Sequence, residues 1–464
     1  MSSNLGYGAA IDAGSSGSRI YLYQWPKREL ASGAFTKVER EAVFSEERTP
    51  GVSDSDGTGI DLLEELVSLA KAALPSDVDP NEVPIYLGAT AGMRITDSAF
   101  EADVMARIRS VLHASDFLFH DDWARTISGE EEGVYDWLVA NYLKNDGNFP
   151  TLTTSYGALD LGGASTQISF PVSMQIEDQY PLRIDNFEYP LFTQSFLYYG
   201  VDQARMQYDS RFASATKSNP CYPAGYKDSK TKVSGASNWE ECTLSVAKLF
   251  DQPPNCSGEG QRCLGGGGMH QLPIEDGQKF IAMSAFVYTW DFLGLNIGAE
   301  TEDLNALNAK AQRVCNLTHE QQIARYQRHM ELKPHNRMTT KPWSQCFNAA
   351  FSYHLLSKGY GMPVSKTPIE IYYDIDGTKV QWALGLMLVE ANKLSSIFKE
   401  PLVLDIYSDM GSTYLQLLVI SMAILIIFAW IPYRLKRSFS REEPCLPLVD
   451  SKAMAENFSP RKGK

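Results

Sequence analysis

Short apolar runs and amphipathic segments alternate along the first 170 residues of the chain. The runs at 7–24 and 155–170 each predict two strands around a tight turn, and VPIYLGATAGMR and DFLFH predict further strands. Helices are predicted from three segments: DLLEELVSLAKAAL, whose apolar residues recur at helical spacing, DSAFEADVMARIRSVLH, with Asp97 as its cap, and GVYDWLVANYL. Strands that alternate with helices indicate an α/β protein.

The two strand pairs carry the same pattern at a shift of 148 residues. In AIDAGSSGSRIYLY, from residue 10, Asp12 ends an apolar run and Gly14 follows. In ALDLGGASTQISF, from residue 158, Asp160 and Gly162 take these places. Asp and Gly are ordinary turn residues, so two unrelated turns are the alternative. Because the aspartate, the glycine and the flanking apolar residues recur together, we favour two related lobes.

A turn of Gly and Ser gathers backbone N–H groups at one point, where they can bind phosphate oxygens. The hydroxyls of Ser15, Ser16 and Ser18 add further donors. One such turn holds one phosphate. Two turns that face each other across a cleft would hold a chain of phosphates.

The aspartates before the turns, Asp12 and Asp160, would face the same cleft. Two carboxylates beside phosphate oxygens predict a site for a hard cation, Ca²⁺ or Mg²⁺, bound through water. Arg19 is the only basic residue close to either turn in the sequence. The chain has no GxxxxGK[ST] motif, which excludes a P-loop protein.

The segment SGEEEGVYDWLVANY supplies a candidate base. Ser128 and Glu131 have the spacing of a capping box, and Glu130 complements the helix dipole, so both glutamates are interpreted as structural. Glu132 remains. A carboxylate near an anionic substrate can take a proton from attacking water, although most acids in a first helical turn serve only the helix.

Composition restricts the ligand. The 464 residues are enough for two or three domains, 44% are hydrophobic and 11% aromatic, and the formal net charge is −14. Such a surface offers no track for nucleic acid, so none is expected as a partner. An anionic substrate must instead be held by a metal ion, by backbone N–H groups or by a few placed cations.

One segment, MGSTYLQLLVISMAILIIFAWIPY at 410–433, has no charged residue. Its length suits a membrane span, and the aromatic residues at its ends suit the two interfaces. The basic residues that follow it predict a cytosolic tail. A buried core helix is the alternative. The start of the chain, MSSNLGYGAA, lacks the basic and apolar regions of a signal peptide.

Six of the seven cysteines lie between residues 221 and 346. An even set confined to one side of the apolar segment suggests disulfides and an oxidising lumen or exterior. Zinc is the alternative, weakened by the absence of a CxxC pair. Sequons at Asn255 and Asn316 fall among these cysteines and predict glycosylation. The run GGGG at 265–268 follows no strand and precedes no lysine, so we interpret it as a loop.

Five segments, in order, resemble the signature regions of the ecto-nucleoside triphosphate diphosphohydrolases, or apyrases. They are DAGSSGSR (12–19), GATAGMR (88–94), GEEEGVYDWLVANY (129–142), DLGGASTQ (160–167) and WALG (382–385). The resemblance covers residues 7–398. It implies an actin and sugar-kinase type of α/β fold, with two RNase-H-like lobes and the active site between them.

We accordingly divide the chain into six parts: lobe I at 1–128, lobe II with a disulfide-linked insertion at 129–372, a return to lobe I at 373–398, a juxtamembrane linker at 399–413, a transmembrane helix at 414–433 and a cytosolic tail at 434–464. The resemblance also implies three disulfides, Cys221–Cys242, Cys256–Cys263 and Cys315–Cys346. Spacing alone does not select this pairing, because six cysteines allow fifteen.

The resemblance implies hydrolysis of nucleoside di- and triphosphates with Ca²⁺ or Mg²⁺. Glu132 matches the general base, Ser165 matches the serine that helps to position water, and Thr90 matches an active-site threonine. Asp12 and Asp160 match the carboxylates that hold the metal through water. The other matches are the phosphate-binding positions Ser15, Ser16, Gly17, Ser18, Gly162, Gly163, Ala164 and Gln167, the base-binding positions Tyr288 and Lys341, and Trp382 at the base of the cleft.

The chain departs from the cell-surface members, which have His-Thr where this chain has Gly17-Ser18-Arg19. In this respect it is similar to a Golgi apyrase of yeast type. A second departure is at Lys341, with Arg337 close by, where related enzymes hold the base with an arginine. We therefore expect a single-pass Golgi membrane protein with a lumenal catalytic domain that clears nucleoside diphosphates. The plasma membrane, with an exterior catalytic domain, is the alternative.

Two other functions remain open. A phosphotransferase on the same fold would need a pocket for an acceptor alcohol, and the segment around Glu132 fits water activation better. A nucleotide-binding membrane receptor without turnover would be expected to lack Glu132 or Ser165, and both residues are present.

Overall fold

The computed structural model describes most of the chain up to residue 394. The described ranges are 5–14, 16–27, 35–54, 57–173, 179–184, 187–213, 217–251, 264, 274–332 and 341–394. Several sequence predictions lie outside them: Ser15, Asn255, the pair Cys256–Cys263, the GGGG run, and the linker, transmembrane segment and tail. Within the described ranges no helix is long and apolar enough to cross a membrane, so the span at 414–433 stays a prediction.

The strands are β1 (Leu5–Ala13), β2 (Ser18–Pro26), β3 (Phe44–Arg48), β4 (Ile85–Ala89), β5 (Ala124–Thr126), β6 (Gly157–Leu161), β7 (Ser165–Pro171), β8 (Gln179–Ile184), β9 (Phe187–Leu197), β10 (Ser218–Asn219), β11 (Ser234–Gly235), β12 (Phe280–Ser284), β13 (Ile369–Ile371), β14 (Asp374–Ile375) and β15 (Thr378–Lys379). The helices are α1 (Thr58–Ala72), α2 (Ala91–Arg94), α3 (Ser98–His113), α4 (Gly129–Lys144), α5 (Val201–Tyr208), α6 (Trp239–Asp251), α7 (Ala285–Leu293), α8 (Leu304–Val314), α9 (His319–Leu332), α10 (Gln345–His354) and α11 (Trp382–Leu394).

Two mixed sheets have the same strand order. The first runs β3-β2-β1-β4-β5, with antiparallel pairing from β3 to β1 and parallel pairing from β1 to β5. The second runs β8-β9-β7-β6-β12-β13, antiparallel from β8 to β6 and parallel from β6 to β13. Apart from the added edge strand β8, each strand of one sheet has a counterpart in the other. The predicted two-lobed α/β architecture is therefore present.

The sheets and helices form alternating layers. Helices α1 and α3 share a core with one face of the first sheet, and α5 to α10 share a core with the outer face of the second. Helices α4 and α11 lie between the two sheets in a third core. Helix α11 packs against β1 of the first sheet and against α4. The bounds of the six predicted parts stay a prediction.

Helix α4 shows why the middle layer positions the site. Every residue from Glu132 to Leu143 is buried, as expected for a helix with apolar residues on all sides. Polar groups in such a helix need partners. Asn141 has partners, since its side-chain amide donates hydrogen bonds to the carbonyls of Trp137 and Tyr156 and accepts one from the N–H of Tyr156. Glu132 and Asp136 are carboxylates buried in the same helix.

One strand prediction is wrong. DFLFH does not form a strand, since only Leu118 pairs, in an isolated bridge with Pro84. The physical reason lies at its first residue, because Asp116 has a φ of 64°, which extended backbone does not allow. The strand that completes the sheet, β5, begins at Ala124, four residues after His120.

Two of the three disulfides implied by the resemblance are formed among the described residues, Cys221–Cys242 and Cys315–Cys346. The first joins the segment after β10 to α6, and the second joins the end of α8 to α10. Asn316, at the remaining sequon within the described residues, is exposed. Its position is compatible with the predicted glycan.

Candidate active site

The two predicted turns have the same backbone geometry. In the first, the N–H of Gly14 donates to the carbonyl of Gly17 at 3.0 Å. In the second, the N–H of Gly162 donates to the carbonyl of Ser165, also at 3.0 Å. The shift of 148 residues maps one pair onto the other, so the repeat seen in the sequence extends to the hydrogen bond that closes each turn.

Each turn leaves backbone donors available. The N–H groups of Ser16 and Gly17, and those of Gly163 and Ala164, donate to none of the described residues. The hydroxyl of Ser18 is fully buried and has no hydrogen-bond partner in the part of the chain that the structure describes. Adjacent unpaired donors in a tight turn are suited to phosphate oxygens, and phosphate binding at the two turns stays a prediction.

Glu132 is presented by the start of α4. The predicted capping box is confirmed: the Oγ of Ser128 accepts from the N–H of Glu131, and the Oε2 of Glu131 accepts from the N–H of Ser128, each at 3.0 Å. Glu131 also accepts two hydrogen bonds from Arg125, at 2.7 and 2.8 Å. Glu131 is thus structural, and Glu132 points away from this pair into the interior.

Two donors hold one oxygen of Glu132. Its Oε2 accepts from Nη2 of Arg94 at 2.8 Å and from Nε2 of Gln167 at 2.9 Å. The same two nitrogens reach the Oγ of Ser165, at 3.1 and 2.8 Å. Among the described residues no donor reaches the other carboxylate oxygen, Oε1. Glu132 therefore has one anchored oxygen and one that can accept a proton.

The electrostatic surroundings tune Glu132. Burial raises its pKa to about 7, the guanidinium of Arg94 opposes the rise, and the charges of Asp160 and Asp12 add to it. A carboxylate with a pKa near neutrality is suited to general-base catalysis at neutral pH.

The two predicted metal-side carboxylates occupy equivalent positions, at the ends of β1 and β6. Burial raises the pKa of Asp12, although the guanidinium of Arg19, 3.4 Å away, opposes the rise. Burial raises the pKa of Asp160 to about 6, although its Oδ1 accepts a hydrogen bond from the hydroxyl of Ser284. Asp160 is buried and Asp12 is partly buried, and carboxylates that are costly to ionise without a partner fit a cation between them.

Asp136 is a fourth acid of this cleft, beside Glu132, Asp12 and Asp160, and the sequence did not predict it. It lies four residues after Glu132, which places both on one face of α4. The residue is 2% exposed, and its Oδ2 has no hydrogen-bond partner among the described residues. Burial, followed by the charges of Asp160, Glu132 and Asp12, raises its pKa well above the usual range. Over the described ranges, no group of three His, Cys, Asp or Glu side chains could hold a metal directly.

Thr90 and Trp382 both lie close to β4 of the first sheet. Thr90 is buried ahead of α2, and its N–H donates to the carbonyl of Ala13 at 3.2 Å, beside the first turn. Trp382 begins α11 and packs against Gly88, where a Cβ would lie 2.6 Å from the indole. Its ring also stacks on Tyr135 of α4. Both therefore border the region between the lobes.

The predicted base-binding residues lie on neighbouring elements. Tyr288 is half-buried on α7, and Lys341 precedes α10. Gln345 links the elements, since it accepts from the hydroxyl of Thr289 at 3.2 Å and donates to the carbonyl of Lys341 at 3.4 Å. The ammonium of Lys341 lies 3.1 Å from both carboxylate oxygens of Asp202.

The sequence matches the GDA1/CD39 (nucleoside phosphatase) family over residues 1–403. The chain belongs to this family. Membership confirms the predicted enzyme family and the resemblance drawn from the five signature segments.

Relatives within the family cover nearly the whole chain. Ectonucleoside triphosphate diphosphohydrolase 2 of Homo sapiens is 31% identical over 462 residues, which is 91% of this chain and 89% of the relative. Ectonucleoside triphosphate diphosphohydrolase 3 of Mus musculus is 30% identical over 442 residues, 84% of this chain and 79% of the relative.

A solved structure shares the fold. The crystal structure of nucleoside triphosphate hydrolases from Neospora caninum covers 84% of this chain and 94% of its own, with a TM-score of 0.59 and 14% sequence identity. At that identity the likeness supports the two-lobed α/β architecture alone.

Sequence reasoning placed Glu132, Ser165 and Gln167 in one site but missed Arg94, Asp136 and Ser284. Arg94 is the last residue of the quoted segment GATAGMR, so its presence in a signature segment was the available signal. Asp136 follows Glu132 at helical spacing in a helix that is otherwise apolar on that face. Ser284 precedes α7 with a φ of 59°, and its contact with Asp160 appears only in the fold.

Proposed function

We propose that this chain hydrolyses the terminal phosphoanhydride of nucleoside di- and triphosphates. The observation that carries the proposal is the geometry of Glu132: its carboxylate is buried beside Ser165 with one oxygen anchored and the other without a donor among the described residues. Family membership and the names of the relatives support the same reaction.

In this proposal the two turns hold the phosphates. The N–H groups of Ser16, Gly17, Gly163 and Ala164, with the hydroxyls of Ser15 and Ser18, donate to phosphate oxygens, and Gly162 and Gln167 shape the second turn. Glu132 Oε1 then accepts a proton from a water whose oxygen attacks the terminal phosphorus. The bridging P–O bond breaks, and the leaving oxygen departs with the bonding pair on the shortened nucleotide.

Ser165 orients the water. Its oxygen accepts hydrogen bonds from Arg94 and Gln167, so its own hydrogen remains to donate to a lone pair of the water. Thr90, at the N-terminus of α2, borders the same space and adds a hydroxyl. These groups fix the water relative to Glu132 before the phosphate arrives.

Asp12 and Asp160 would hold a divalent cation, Ca²⁺ or Mg²⁺, through water. A bound cation neutralises charge on the phosphate oxygens and on the leaving group. Tyr288 and Lys341 would bind the nucleobase and Trp382 would close the base of the cleft. Lys341 would then exchange or share its contact with Asp202.

We further propose that the catalytic domain faces an oxidising compartment and is anchored by a single span at 414–433. The disulfides of the insertion support such a compartment. The Gly17-Ser18-Arg19 departure favours the Golgi lumen, where nucleoside diphosphates from glycosyl transfer would be the substrates. The names of the relatives, all ecto-enzymes, favour the plasma membrane as the alternative.

Phosphate release from a panel of nucleotides tests the proposal. ADP, GDP, UDP and their triphosphates should each be assayed with Ca²⁺, with Mg²⁺ and with a chelator. AMP is the matched control, since it has a phosphate ester but no anhydride. We expect release from di- and triphosphates, none from AMP, and loss of release with chelator. Nucleotide binding without release would indicate a receptor, and release only when an alcohol is added would indicate a phosphotransferase.

A further inference from the structure

We infer that Arg94 is a positioning residue that holds the carboxylate of Glu132 and the hydroxyl of Ser165 in one working geometry across the two lobes. The inference rests on the proposed function, because it gives Arg94 a task in a hydrolysis for which Glu132 is the base.

Three hydrogen bonds fix the guanidinium. Nη2 donates to Oε2 of Glu132 at 2.8 Å and to Oγ of Ser165 at 3.1 Å, while Nη1 donates to the carbonyl of Ile127 at 3.1 Å. The side chains of Arg94 and Glu132 are only 14% and 7% exposed. A buried, charge-assisted contact of this kind is stronger and better oriented than a surface ion pair.

The contact joins three parts of the fold. Arg94 ends α2, directly after the first sheet's β4, whereas Ser165 begins β7 of the second sheet. Glu132 lies in α4 between the sheets. A Cβ on Gly129 would lie 3.6 Å from the guanidinium carbon of Arg94, so the side chain covers the first turn of α4. Arg94 thus ties the base to both lobes at once.

Arg94 and Gln167 share the same two acceptors but differ in charge. Gln167 can fix geometry only, whereas Arg94 also favours the ionised form of Glu132, which is the form that accepts a proton. Among the described residues, the carboxyls of Asp160 on β6, Asp12 on β1 and Asp136 on α4 also act on this region. Without Arg94, burial and like charges would remain, and all of them favour the protonated, inactive acid.

The test is the pH dependence of kcat/KM for nucleoside diphosphate hydrolysis by the whole protein. In Arg94→Gln we expect the acid limb to move upward by about one pH unit or more, so activity near neutral pH falls about tenfold or more. Activity should return as the pH is raised. Arg94→Lys keeps the positive charge but not the geometry of the guanidinium, so the acid limb of this variant should lie between those of the wild type and Arg94→Gln. A purely structural role would lower activity equally at every pH.

Arg125→Gln is the matched control. Arg125 also pairs with a glutamate in the first turn of α4, but with Glu131. Its loss should leave the limb in place. If Arg94→Gln and Arg125→Gln both shift the acid limb, the shift reflects the loss of any cation at the start of α4, and the inference is overturned. It is also overturned if Arg94→Gln raises KM with an unchanged limb, since Arg94 would then bind substrate.

The failure of this inference is distinguishable from failure of the proposed function. If the wild type releases no phosphate from any nucleotide, the proposed function is wrong. If the wild type is active and Arg94→Gln keeps the wild-type limb, only the role of Arg94 is wrong. Thermal unfolding and nucleotide affinity should be measured alongside. If Arg94→Gln does not fold, the limb of Arg94→Lys decides, and an unshifted limb overturns the inference.

Discussion

The hairpins β1–β2 and β6–β7 have the same turn and the same register, but different residues lie opposite their aspartates. Asp12 faces Arg19 across the first ladder, and Asp160 faces Gln167 across the second. The guanidinium of Arg19 forms ion pairs with two carboxylates, Asp12 at 3.4 Å and Glu47 at 2.7 Å. Gln167 instead donates to the residues of the proposed chemistry.

The difference shows how one backbone can serve two tasks. A cation opposite the aspartate balances charge at the first hairpin, and it is 24% exposed. A neutral amide opposite the aspartate can be buried without a counter-ion, and Gln167 is fully buried beneath α4. There it contacts Glu132, Ser165 and Ser195. In the proposed function, the first hairpin would therefore balance charge and bind phosphate, whereas the second would also orient Glu132.

The largest effect should come from the base beside the second hairpin. Glu132→Gln keeps the size of the side chain and one acceptor oxygen for Arg94 and Gln167 but cannot take a proton, so kcat should fall about 10²–10⁴-fold while nucleotide still binds. Steady-state phosphate release and equilibrium binding are the measurements. Glu131→Gln is the control, since Glu131 serves the capping box and Arg125. It should keep turnover, and near-normal turnover in Glu132→Gln would refute the assignment.

The aspartates should respond alike if the hairpins share the metal. Asp12→Asn and Asp160→Asn each remove one of the two proposed outer ligands, so the divalent cation concentration for half-maximal activity should rise about 10–100-fold. The metal affinity of the nucleotide-free protein, measured by titration calorimetry, should fall together with this rise. If this concentration rises in only one of the two variants, the cation is held by one hairpin, and the equivalent roles of Asp12 and Asp160 are contradicted.

The turns should differ in their tolerance of a side chain. A Cβ at Gly17 would lie 2.7 Å from the backbone oxygen of Arg48, whereas the equivalent position in the second turn is Ser165, which already has one. Gly17→Ala should therefore destabilise the protein by about 1–3 kcal/mol. In the control Gly162→Ala the nearest contact would be 3.3 Å, so a smaller loss is expected in denaturant unfolding. Equal losses would contradict the comparison.

The smallest expected effect is the pH dependence of the stability of the metal-free protein. The folded pKa of Asp160 is raised from 3.8 to about 6 and that of Glu132 from 4.5 to about 7, with Asp136 raised as well. Groups with raised pKa values stabilise the fold below their unfolded pKa, and this contribution is lost as the pH rises through the folded pKa. The metal-free melting temperature should thus fall by a few degrees between about pH 4 and pH 7. Asp136→Asn should flatten this fall, and an unchanged slope would argue against a charged cluster.

The sequence predicted what local rules determine. The hairpins, the capping box of Ser128 and Glu131, and the cap at Asp97 all follow from residue type and short spacing. The site's cross-lobe contacts do not. Arg94 meets Ser165 across 71 residues of sequence, and nothing local specifies that pairing. The prediction of a strand at DFLFH was wrong because a local feature of the fold, the left-handed backbone at Asp116, overrides the strand-like composition.

Solvent isotope labelling tests the central claim most directly, which is that water held at the second hairpin attacks the terminal phosphorus. A nucleoside diphosphate should be hydrolysed in a single turnover in ¹⁸O-water, and both products analysed by mass spectrometry. We predict one solvent-derived oxygen in the released phosphate and none in the nucleoside monophosphate. Label in the nucleotide product, or phosphate without label, would contradict the account.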